Sequence, residues 1–168
     1  MLALLNALAI LATGPTAPPP DRGPWMAIRP AEFVVVEIRA DGGWRVLDRG
    51  PAQPADQNLA RLVAGSMKGT ASSLVGGLPV APRQTVRFVL QPTLDGQGML
   101  LGAANGYDQR LEYRALMRKT PGGKPEPTSV CPVLTTAPST EVWPYLVDEL
   151  DVGEFRLVEA TSSVIDCR

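Results

Sequence analysis

The chain has 168 residues, with 16 Lys plus Arg against 17 Asp plus Glu, a formal net charge of −1, two cysteines and no histidine. Near-neutrality argues against a global pull towards nucleic acid or an anionic membrane. The missing histidine excludes Ser-His-Asp and Cys-His catalysis and His-containing zinc sites, and two cysteines cannot complete a Cys₄ site.

One domain fits this length, and Gly and Pro clustered between apolar runs favour short strands joined by turns. Leu2 to Ala12 is an apolar run broken only by Asn6. It is too short for a transmembrane span and matches the apolar region of a secretory signal, although no Lys or Arg precedes it. Residues 1–17 are therefore expected to be a signal peptide, 18–30 an extended lead-in carrying Trp25, Met26 and Ile28, and 31–168 one β-rich domain. The competing reading returns the run to the fold of a cytoplasmic protein. No cysteine lies near the run to carry a lipid.

Phe33 to Arg39, the turn Asp41-Gly42-Gly43 and Trp44 to Asp48 predict a hairpin whose first strand is rich in β-branched residues. After the turn from Gly50 to Pro54 the period changes. Leu59, Leu62, Val63 and Met67 recur at helical spacing, which predicts a helix from Asp56 to Met67, capped by Asp56 and stopped at Gly69. A small, Gly-containing stretch from Thr70 to Gly77 follows, and Leu78 to Pro82 leads onward.

Thr85 to Met117 carries the clearest pattern. Val86, Phe88 and Leu90 alternate with Arg87, Val89 and Gln91; turns at Leu94 to Gly98 and Asn105-Gly106 flank Met99 to Ala104; and Leu111 to Met117 alternates again. The stretch predicts a three-stranded meander. Lys119 to Pro127 reads as an exposed loop, and Ser129 to Thr135 as a strand. Glu141 to Leu150 mixes strand formers with Pro144, which confines it to an edge or an irregular segment. Phe155 to Glu159 alternates, and Val164 to Cys167 is a closing strand. The fold class is mainly β: an antiparallel sandwich or partly open barrel of about 7–9 short strands, with one short helix capping an end.

Cys131 and Cys167 are expected to form a disulfide that ties down the C-terminus, constraining the unfolded chain by roughly 4 kcal/mol in the chain-entropy model. Two buried thiols or a redox pair are the alternatives, but no Cys-x-x-Cys spacing supports the latter.

Other candidates each carry a plainer reading. Ser66 and Lys68 invite a Ser-Lys hydrolase, yet residues two apart on a helix do not face each other, and a helix C-terminus suits a cation. Asp148, Glu149, Asp151 and Glu154 lack the register of a calcium loop and read as a solvated acidic turn. Arg110, Arg114 and Arg118 form a basic patch for an acidic partner, or the solvent face of a sheet paired with Glu141 to Glu159. Trp25, Trp44, Trp143 and Tyr145 suit a sugar- or peptide-binding patch, or the core. The paired glycines end in no Gly-Lys-Ser/Thr phosphate loop.

No cofactor, metal or nucleic acid is expected. The function expected is that of an exported binding or structural protein, with another envelope protein as a partner class. The alternative is an exported hydrolase using carboxylates or a Ser-Lys pair assembled by the fold.

Overall fold

The computed structural model describes residues 24–67, 80–135, 138–159 and 167. The run from Leu2 to Ala12, Lys68, Gly69, the stretch from Thr70 to Gly77 and most of the expected closing strand lie outside the described residues.

Among the described residues, nine strands and one helix follow in chain order: β1 (Trp25–Ile28), β2 (Glu32–Ile38), β3 (Trp44–Pro51), α1 (Pro54–Met67), β4 (Val86–Pro92), β5 (Met99–Asn105), β6 (Arg110–Arg118), β7 (Glu126–Thr128), β8 (Ser139–Trp143) and β9 (Glu149–Val158). They form two antiparallel sheets, β1-β9-β6-β7 and β3-β2-β4-β5-β8. Neither sheet closes on itself, so of the two expected architectures the chain adopts the sandwich. Among the described residues no helix is long and apolar enough to cross a membrane.

The core lies between the sheets. Val34, Val36, Phe88, Leu90 and Leu101 from the five-stranded sheet meet Met26, Leu111, Ala115, Val152 and Phe155 from the other. Clean alternation marks β6, whose second face meets solvent, whereas the six residues Val86–Gln91 of β4 are all buried. The physical reason is a third layer. The helix lies on the outer face of the five-stranded sheet, covering Leu100 with Leu59 and Ala60. It therefore does not cap an end of the sandwich, as expected. Gly102 on β5 makes this approach possible, because a Cβ there would overlap the Leu59 Cδ2 methyl.

Asp56 is not the N-cap. The helix begins at Pro54, and Asp56 sits at its third position. Its carboxylate accepts a bond from the Gln53 N–H (2.6 Å), while its own N–H donates to the Gln53 carbonyl (2.9 Å). Proline at the first helical position needs no N–H partner.

The three-stranded meander is corrected at its third strand. β4 and β5 pair as expected, from Val86↔Asn105 to Pro92↔Met99. The far edge of β5 is taken by β8, and β6 crosses to pair with β9 and β7 in the other sheet. Tyr107 fixes the crossover: its hydroxyl accepts from the Ile38 N–H at 2.7 Å and donates to the Ile38 carbonyl at 3.0 Å. Short-range alternation cannot distinguish a hairpin from a crossover to the facing sheet, since both bury the same residues.

Smaller differences have similar causes. The last residues of the expected lead-in pair with β9 as β1. The expected loop Lys119–Pro127 contributes to β7. In place of a strand over Ser129–Thr135 there is an isolated bridge between Val133 and Leu111. β8 ends at Trp143, before Pro144, and pairs on one side only.

Candidate functional site

The chain folds an apolar cleft of about 440 Å³ at the corner where three elements meet. Ala60, Val63 and Ala64 of α1 form one wall, Leu100 the floor, Thr93 to Gly98 a second wall, and Val142 to Pro144 the third. Leu94 and Val142 remain exposed there, at 58% and 37% of their surface. The turn is rigid. Asp95 Oδ1 accepts from the Thr93 hydroxyl (2.6 Å) and the Gln97 N–H (3.1 Å), and the Gly98 N–H donates to Thr93 Oγ1 (2.9 Å). An apolar concavity on fixed secondary structure, with a few polar groups at its rim, is the usual form of a small-ligand site.

The expected aromatic patch is divided. Trp143 is 8% exposed, belongs to the core and donates from Nε1 to Thr128 Oγ1 at 3.0 Å. Tyr145 is exposed and lies 5.2 Å from Lys119 Nζ. Trp44 and Trp25 belong to another rim, where Trp44 Nε1 donates to the Pro24 carbonyl at 3.2 Å and Trp25 packs over Gly153.

Arg110, Arg114 and Arg118 share the outer face of β6, and each has an acidic neighbour. Arg110 pairs with Glu112 at 2.8 Å, and Arg114 with Glu154 at 3.3 Å. Arg118 lies between Glu149 at 3.0 Å and Asp151 at 2.9 Å. The solvated acidic turn is therefore corrected: Glu149, Asp151 and Glu154 are on strand β9, with Glu149 and Asp151 buried. Charges on one strand were read as a turn because their counterions come from β6, distant in sequence. Among the described residues no three His, Cys, Asp or Glu side chains gather as metal ligands would.

Cys131 and Cys167 form the disulfide, with Cα atoms 4.1 Å apart. The Cys131 N–H donates to Glu141 Oε1 at 2.6 Å, which ties this segment to β8. Burial raises the Glu141 carboxyl above the usual carboxylate range, opposed by that hydrogen bond. Burial, with a contribution from the Glu141 charge, also pushes Tyr113 far above its ordinary value. The Tyr113 hydroxyl has no hydrogen-bond partner among the described residues.

Of the hydrolase candidates, Ser66 lies in α1 and Lys68 outside the described residues, while Glu149 and Asp151 are engaged by one guanidinium. Apart from Trp143, the cleft residues were missed by sequence reasoning. Their signal was present in Leu94, an apolar residue inside an Asp-Gly turn, and in Val142 beside a strand-ending proline. Comparison with family models, curated proteins and solved structures finds no match to this chain.

Proposed function

We propose that this is an exported, non-catalytic binding protein of the cell envelope, secreted or periplasmic once residues 1–17 are removed. Its ligand is the apolar chain of a small amphipathic molecule. The observation that carries this reading is the cleft between α1, the Thr93–Gly98 turn and β8, whose apolar lining gains when water is displaced. The disulfide is compatible with an oxidising compartment, and the apolar run of residues 2–12 supports export.

The rim favours a neutral head group. Its charged side chain is Asp95, whose Oδ1 is already held within the turn and which would repel a carboxylate.

The test is calorimetric titration of the full chain with a decanoyl monoglyceride, alongside Ala64→Phe. That substitution places a ring into the cleft from a half-buried helix position. The reading predicts binding by the wild type, weakened by about tenfold or more in the variant with the unfolding midpoint retained. No binding by the wild type, or equal binding by both, overturns it.

A further inference from the structure

A second concavity lies at the opposite corner, where the β2–β3 turn meets β9. Its volume is about 700 Å³, and Pro24, Asp41, Trp44, Arg45 and Glu154 are among its walls. It combines an aromatic ring with hydrogen-bond donors and acceptors.

Each part is held in place. The Trp44 ring stands edge-on to Phe155, with centroids 6.5 Å apart and planes at 86°, and its Nε1 is tied to Pro24. Gly42, at φ +81°, packs against the Phe155 carbonyl, where a Cβ would come within 3.2 Å. Asp41 Oδ1 accepts from the Gly43 N–H at 2.9 Å. Arg45 Nε is bonded to Glu37 at 2.6 Å.

Glu154 is the least expected feature. Glu112 pairs with Arg156 and Arg114 with Gly153, so two residues of β9, Glu154 and Phe155, oppose the single Tyr113. This bulge sets Glu154 at φ +52°, a left-handed conformation that glycine adopts without strain. Phe155 turns into the core, while Glu154 faces outward at the edge of the concavity, its carboxylate 3.3 Å from Arg114 Nε. Strain retained at such a position points to a use for the side chain.

We propose that this concavity is a binding site for a neutral saccharide. The apolar face of a pyranose ring stacks on the fixed indole of Trp44. Its hydroxyls donate to Asp41 and Glu154. Arg45 and Glu154 already have charged partners in Glu37 and Arg114, so the polar groups here suit a neutral ligand able to donate to Asp41. Hydroxyls that both donate and accept satisfy such a mixture.

The test is titration of the full chain with neutral tetrasaccharides of glucose and of N-acetylglucosamine, read by calorimetry and tryptophan fluorescence. Trp44→Ala is expected to abolish binding. Because that variant also loses a ring packed on the core, Glu154→Gly is the second test. It relieves the left-handed strain, so its unfolding midpoint is expected to match or exceed that of the wild type, while affinity falls about tenfold with the lost charged acceptor. Ala64→Phe is expected to bind the saccharide unchanged, which separates this site from the cleft. Failure of every tetrasaccharide to bind the wild type, or unaltered binding by Glu154→Gly, would overturn the proposal.

Discussion

Asp56 on the helix and Arg87 on β4 form a buried ion pair beneath the outer layer, with Nη2 2.8 Å from Oδ2. The Asp56 side chain is fully buried, and that of Arg87 is 9% exposed. Gln91 Nε2 donates to the Asp56 carbonyl at 2.7 Å, and the guanidinium lies 4.0 Å from the Phe33 ring centre. This cluster joins the start of α1 to the sheet and so sets where the helix runs.

Removing one partner leaves an uncompensated buried charge. Asp56→Ala is expected to destabilise the protein by about 3–5 kcal/mol in urea unfolding. The paired change Asp56→Leu with Arg87→Met is expected to recover most of that loss. A cost below about 1 kcal/mol for the single change would mean that α1 is held elsewhere.

Tyr107 makes the sharpest prediction about topology. Its hydroxyl satisfies both backbone groups of Ile38 across 69 residues of chain. Tyr107→Phe removes the hydroxyl without altering the ring and is expected to cost about 1–3 kcal/mol. Hydrogen exchange at Ile38 is expected to accelerate in the variant. Unchanged protection there would contradict the clasp.

These two contacts show what the sequence could and could not convey. Alternation in Val86–Gln91 and Leu111–Met117 reveals strands because burial imposes it directly. The hairpins β2–β3 and β4–β5 are legible because their turn residues are local. By contrast, the burial of Arg87 and Gln91 is not legible in their alternation, since nothing near them announces the helix that covers them. Glu149 and Asp151 read as a turn for the same reason, their partner Arg118 lying across the sheet. The cleft was hidden because its three walls come from positions about 60, 94 and 142, and only the fold brings them together.

Glu141 predicts a pH dependence of defined sign. Its carboxyl is raised by burial, so the folded protein holds that proton more tightly than the unfolded chain. Its favourable contribution is greatest below the unfolded value of about 4.3 and is lost as pH rises through the raised folded value. Glu141→Gln keeps an oxygen to accept from Cys131 and removes the titration. The variant is expected to gain on the wild type as pH rises from about 4 to about 7, in unfolding measured at each pH. A gain in the opposite direction would contradict the assignment.

Export and the disulfide are read together from the intact mass of the natively produced protein, with and without reduction. The expected result is a chain shortened at its N-terminus and lighter by roughly 2 Da than its reduced form, the loss for one disulfide. Full-length, fully alkylatable protein would sink the exported reading. Cys131→Ser is expected to cost roughly 4 kcal/mol for a cross-link spanning 36 residues.

We propose that an apolar cleft, and not a catalytic centre, carries the function. The most direct measurement is an amide chemical-shift titration of the isotope-labelled full chain with a decanoyl monoglyceride. Saturable shifts at Val63, Ala64, Leu94, Leu100 and Val142, with the β2–β3 turn unmoved, are the predicted result. Shifts confined to other surfaces, or none at saturating ligand, would contradict it.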